Sequence, residues 1–173
     1  MLVVWSVFAC SEVPSPPPEP AVEVEAKAHP QDTLDGMDSR TPLPMPPMMA
    51  LHQKEQMRGH LEATQELSAA LAESDWAAIE AAASKLGSSP QMAMTCDHMG
   101  AAAEGFTPQA LDFHARADKI VEAAQAQDQQ AVLAATADTL AACTACHNTW
   151  RQQIVSPEAY AELTGGAGPM GHH

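Results

Sequence analysis

Cys143-Thr144-Ala145-Cys146-His147 constrains this chain more than any other five residues. The run Cys-x-x-Cys-His is the attachment signature of a c-type haem. Two thiols three positions apart on one helical turn reach the two vinyl groups of one porphyrin, and the histidine that follows stands over the iron. Other uses of two such cysteines fit less well. A zinc site needs a second ligand pair at suitable spacing, and the sequence has none. A thioredoxin-type disulfide needs a βαβ setting, whereas everything around this motif has the periodicity of helix. The motif therefore predicts a haem held through Cys143 and Cys146, with His147 on the iron, and redox or ligand chemistry that no side chain supplies.

The chain has 173 residues, enough for one domain with extensions. Its 22 acidic against 8 basic side chains give a net charge of −14, which argues against nucleic acid and anionic membrane surfaces as partners and suits a redox partner protein with a basic patch. Residues 1–9 are uncharged and mostly apolar and lead to Ala9-Cys10-Ser11. That is similar to a bacterial lipoprotein signal, in which the cysteine after a small residue is lipidated. Residues 1–10 are accordingly expected to be an export signal with Cys10 the lipidation site, although no Lys or Arg precedes the apolar run. The run is too short to span a bilayer. Residues 11–47 interleave proline with Glu, Asp, Ser and Ala. Proline lacks a backbone donor and like charges repel, so this stretch is expected to be a disordered, partly polyproline tether outside any core.

The stretch 48–156 has the pattern of four helices, with 157–173 as a flexible tail. Helix one follows Pro46-Pro47 and carries the stripe Met57, His60/Leu61, Thr64, Leu67, Leu71. Ser74 or Asp75 caps helix two, whose inner face is Trp76, Ile79, Ala83 and Leu86, with Gly87 at its end. Thr107-Pro108 opens helix three, with Phe113, Ala117, Ile120 and Ala124 inside. Gln127-Asp128 turns the chain into helix four, where Leu133, Thr136, Leu140, Cys143, His147, Trp150 and Ile154 share a face. Strand patterns are absent, and the short turns make neighbouring helices antiparallel. The prediction is an all-α fold, an antiparallel four-helix bundle with covalent haem c near its C-terminus. Its faces are rich in alanine and poor in aromatics, so a large apolar cofactor would fill the core, and the haem-free protein is expected to be much less stable than the loaded one.

With the motif on a C-terminal bundle helix, the sequence resembles the cytochrome c-prime family, which includes low-spin relatives with methionine on the iron. The resemblance rests on Ala142-Cys143-Thr144-Ala145-Cys146-His147-Asn148-Thr149-Trp150-Arg151, with an aromatic and then an arginine three and four positions after the histidine. The helix Phe113–Gln127 and the alanine-rich approach to Cys143 are also similar. The likeness covers residues 48–156, more strongly in the last two helices than in the first two. It implies haem c, His147 as proximal ligand, Arg151 close to the proximal side, and residence in the periplasm. It also allows a homodimer.

The resemblance further implies that the sixth iron position faces the first helix. A methionine there gives a low-spin electron carrier; an aliphatic or aromatic residue leaves the iron open to nitric oxide or carbon monoxide. Helix one offers Met57 and, one turn on, His60. Met57 is the first candidate for the distal ligand and His60 the alternative. Methionine is also a common core filler. The segment Gln91–Met99 and the tail Met170-Gly171-His172-His173 hold Met, Cys and His side chains of the kind that suits copper, but without fixed ligand spacing. As a mobile loop, 91–99 could instead bring Met92, Met94 or Met99 to the iron. Cys96 is expected to be buried or to cross-link two copies, and His114 to be a satisfied, partly buried histidine. No distal Arg/His pair suited to peroxidase chemistry can be assigned. The sequence thus points to an exported monohaem carrier rather than an enzyme, with gas binding as the competing function.

Overall fold

The computed structural model describes residues 30–166. The chain divides into two units, 1–38 and 39–173. Of the first, helix α1 spans Pro30–Met37. The second runs β1 (Thr41–Met45), α2 (Pro47–Glu73), α3 (Trp76–Ser84), α4 (Pro90–Gly100), α5 (Phe106–Gln125), α6 (Gln129–Thr149), β2 (Trp150–Ile154) and α7 (Pro157–Leu163). The export signal with Cys10, and the copper-type tail Met170–His173, lie outside the described residues.

Local chemistry sets the boundaries. Pro47 opens α2, where a missing N–H costs nothing, and Ser74 ends it in a left-handed turn (φ 57°) whose N–H returns to Ala70 and Leu71. Asp75 caps α3 by accepting from Ala78 N at 3.0 Å. Asp128 caps α6 by accepting from Ala131 N at 3.0 Å, just after Gln127 has reversed the chain at φ 54°. α5 begins at Phe106, preceded by Gly105 in the left-handed region (φ 89°), so the start predicted at Thr107-Pro108 lies within its first turn.

α3 packs on both α2 and α5, and α5 lies along α6. Their shared core consists of Leu67, Ile79, Ala83, Ile120, Ala124 and Val132, all nearly inaccessible. The predicted inner faces of helices two and three are therefore the ones buried. On α6 the outcome differs: Val132, Thr139 and Ala142 are inside and Leu133 is exposed, so the predicted stripe is rotated away from the core at its start.

Four expectations are corrected. First, Gln91–Met99 is not a loop: Pro90–Gly100 is helix α4, capped by Ser89, whose hydroxyl accepts from Met92 N at 3.0 Å. Second, helix four stops at Thr149, and Trp150–Ile154 is a strand paired in parallel with Thr41–Met45. The three–four spacing of His147, Trp150 and Ile154 is therefore not a continued helix, because β1 supplies the backbone partners that a further turn would have used. Third, the tether does not reach Pro47: Leu43 and Met45 are buried, in the strand Thr-Pro-Leu-Pro-Met. Alternating proline explains why that strand is allowed. Backbone groups of residues 41, 43 and 45 face one edge, and the prolines, which cannot donate, face the edge that has no partner. Fourth, the tail is not flexible throughout, since Pro157–Leu163 is helix α7, and its Tyr160 is fully buried and donates its hydroxyl to His98 O at 2.8 Å.

β1, α7, the first turn of α2, the end of α4 and the start of α5 thus build a second apolar cluster: Leu43, Met45, Met49, Met99, Phe106 and Tyr160. The fold is a helical bundle with a two-stranded clasp at the end that carries the Cys-x-x-Cys-His motif.

Candidate haem site

A cavity of about 640 Å³ lies among α2, α4, α5, α6 and the clasp, within the range of about 300–1,000 Å³ typical of small-molecule sites. Helix α6 supplies Leu140, Cys143, Cys146 and His147 to its wall, and α2 supplies Met57, His60, Leu61 and Thr64. Leu67, Leu86, Phe113 and Ile120 join the cavity to the core, and α4 adds Met92, Cys96 and Met99. Both parts of the sequence-derived site, the motif on one helix and the two distal candidates on another, therefore border one space. Arg151 joins them from β2, its Nε and Nη1 atoms shielded from solvent. Met94 is exposed and not on this wall.

The histidines differ in setting. His114 is buried, with Nδ1 2.7 Å from Leu86 O. A carbonyl only accepts, so Nδ1 carries the proton and the ring is satisfied, as expected from sequence. His60 stacks obliquely on Phe113 at 5.1 Å and meets the edge of His114 at 5.6 Å. Burial, and then the neighbouring His114, push its pKa down to about 4, so at neutral pH it is an uncharged imidazole with a lone pair to offer. Met57 is 40 % exposed, at the outer part of the same wall.

Burial raises the thiol pKa of Cys143, and burial followed by the adjacent Cys143 raises that of Cys146. Both are neutral thiols in the chain as it stands. Cys96 is also buried, its thiol pushed up by burial, then Asp97, then Cys146. Of its two expected settings it takes the buried one, unsuited to cross-linking two copies. Among the described residues no three His, Cys, Asp or Glu side chains converge on a metal position.

The sequence did not reveal the polar edge. Arg40, Gln53, Lys54 and Gln152 also line the cavity. Buried Gln53 accepts from Gln152 Nε2 at 2.6 Å, which ties α2 to β2. Trp150 fixes β2 on the other side, donating Nε1–H to Gln109 Oε1 at 2.7 Å with its ring edge-on to Phe106. Among the described residues no Asp or Glu lines the cavity, whereas the chain has 22 of them. A large apolar space, two neutral thiols and an imidazole on one turn, and cations without carboxylates suit a porphyrin with its two acidic side chains.

Residues 99–151 match the family model described as Cytochrome C'. Over this segment the chain is cytochrome c′-like. Haem c with its iron is the cofactor of that family, whose members are in general not enzymes and are typically periplasmic. The match runs from the end of α4 through α5 and α6 to Arg151, so Met57, His60 and Arg40 lie outside it. No curated protein and no solved structure gives a significant match to the chain. No helix among the described residues is long and apolar enough to cross a membrane.

Proposed function

We propose that this cytochrome c′-like protein is an exported one-electron carrier. Its single haem c is attached through Cys143 and Cys146, with His147 as proximal ligand, Met57 as the first candidate for the sixth position and His60 as the alternative. The observation that supports this reading is the shared cavity: the attachment motif on α6 and two ligand-competent side chains on α2 border the same space. When bound, haem iron takes up and releases one electron. The chain's own part is to hold the iron's ligands on rigid helices, exclude water with Leu67, Leu86, Phe113 and Ile120, and place positive charge at the cavity edge.

Among the described residues no acidic side chain lies on the cavity wall, and the chain's acidic excess suits docking against a basic patch of a redox partner. Residence in the periplasm, with the N-terminus held by a lipid on Cys10, completes the reading.

The second reading is a five-coordinate haem protein that binds nitric oxide or carbon monoxide. It is favoured by the exposure of Met57 and by the seating of His60 against Phe113 and His114. Optical and electron paramagnetic resonance spectra of the loaded protein separate the two. A low-spin spectrum indifferent to carbon monoxide, turned high-spin by Met57→Ala, is the expected result. A low-spin spectrum lost in His60→Ala but kept in Met57→Ala assigns the histidine instead. A high-spin spectrum that shifts at once with the gas rejects the carrier reading.

A further inference from the structure

Arg40 sits one residue before β1, in the proline-rich stretch and outside the segment that matches the family. Its Nη1 donates to His147 O at 3.0 Å and reaches Trp150 O at 3.4 Å. These carbonyls belong to the last turn of α6 and the residue after it, where helix carbonyls lack intrahelical partners and the helix dipole is negative, so a guanidinium is doubly favoured there. One of the two carbonyls belongs to the proposed iron ligand itself. The parallel register, Thr41 beside Trp150 through Met45 beside Ile154, keeps Arg40 at that place, and buried Leu43 and Met45 anchor the strand. Arg40 also lines the cavity. With Lys54 and Arg151 it makes three of the chain's eight basic residues on a wall without a carboxylate among the described residues.

We propose that Arg40 is a positioning residue of the haem site, which holds the backbone of His147 and sets a positive charge beside the iron that favours its reduced form. The segment Arg40–Met45 is then a strap belonging to the cofactor site, not the end of a spacer. This inference rests on the haem reading given above. Two contributions are separable. Nη1 alone reaches both carbonyls and fixes the histidine's backbone, in a direction set by the rigid guanidinium plane that lysine's freely rotating ammonium does not reproduce. The charge stabilises the reduced iron whichever cation carries it, and, because Arg40 is exposed, salt screens that part.

The test uses the loaded, full-length protein as wild type, Arg40→Lys and Arg40→Met, with reductive titration at low and high salt and paramagnetic resonance of the oxidised form. Arg40→Met should move the one-electron equilibrium toward the oxidised protein by roughly three- to tenfold at low salt, the tenfold limit being 59 mV. The difference should narrow at high salt. Arg40→Lys should keep most of the potential while shifting the g-values that report the seating of His147. Should Arg40→Met fail to hold haem, Arg40→Lys decides: g-values identical to wild type overturn the positioning role. A potential unchanged in a haem-loaded Arg40→Met overturns the electrostatic role. Absence of covalent haem from the wild-type protein would instead overturn the haem reading, and this inference with it.

Discussion

Two of the apolar clusters that border the cavity are assembled by different means. In the bundle cluster, Ile79, Ala83, Ile120, Ala124 and Val132 come from α3, α5 and α6, and short capped turns join α2 to α3 and α5 to α6. Each buried face repeats every three or four residues. In the clasp cluster, Leu43, Met45, Met99, Phe106 and Tyr160 come from a strand, the end of α4, the start of α5 and a short C-terminal helix. No periodic face supplies it, and its parts are far apart in sequence. Two helix pairs of the bundle cluster, α2–α3 and α5–α6, are local in sequence, whereas the strand pairing that closes the clasp joins residues more than a hundred positions apart. Local contacts form first and long-range ones carry the entropy of loop closure, so the clasp should be the region that opens more readily.

The largest effect should follow from cutting into the bundle cluster. Ile79 is fully buried, and Ile79→Ala should cost about 2–5 kcal/mol, read as a lower urea midpoint with an unchanged slope. Leu43→Ala removes a comparable volume from the clasp, yet its equilibrium cost should lie at the lower end of that range, because the clasp can loosen without the bundle. Its signature should be local: faster amide hydrogen exchange in 150–155 and 157–163 with little change in α3 and α5. Equal loss of protection throughout both clusters would show one cooperative unit and break the comparison.

What could be read from the sequence follows the same division. Helices one to three, with Asp75, the Gln127-Asp128 turn and the buried faces of α3 and α5, were legible because one turn of helix places the informative residues side by side. The helical placement of the motif and of Met57 and His60 was legible because each lies within a single helix, α6 or α2. The clasp was not. Thr-Pro-Leu-Pro-Met has the composition of a spacer, and only a partner strand more than a hundred residues later makes it a strand. The continued spacing through Trp150 and Ile154 concealed that partner by mimicking helix. The cationic edge of the cavity was hidden for a related reason: Arg40, Lys54 and Arg151 meet only after the strands pair.

Acid should act on the cavity wall, at His60. The folded chain holds His60 at a pKa near 4, against an ordinary value of 6.5. Between those values the unfolded chain binds more protons than the folded one, so stability rises with pH across the window and is lost as pH falls from about 6.5 toward 4. In the haem-free protein the loss should approach about 2–3 kcal/mol by pH 4. His60→Asn should remove most of that slope, while leaving the stability above pH 7 less affected. A slope that persists in the variant would place the responsible proton elsewhere.

The smallest expected effect tests whether the clasp depends on one polar contact. The Tyr160 ring is sealed in the cluster, and its hydroxyl donates to His98 O in the last turn of α4. Tyr160→Phe keeps the ring and deletes the donor, leaving a carbonyl at a helix end that loses its partner. The cost should be about 0.5–1.5 kcal/mol, close to a single hydrogen bond. Because α7 and α4 meet through that bond, the change should raise exchange in 157–163 without moving the haem spectrum. A shift of the spectrum in this variant would mean that α4, which carries Met92, Cys96 and Met99 along the cavity wall, transmits the state of the clasp to the cofactor. The two clusters would then be coupled through the cavity that both border.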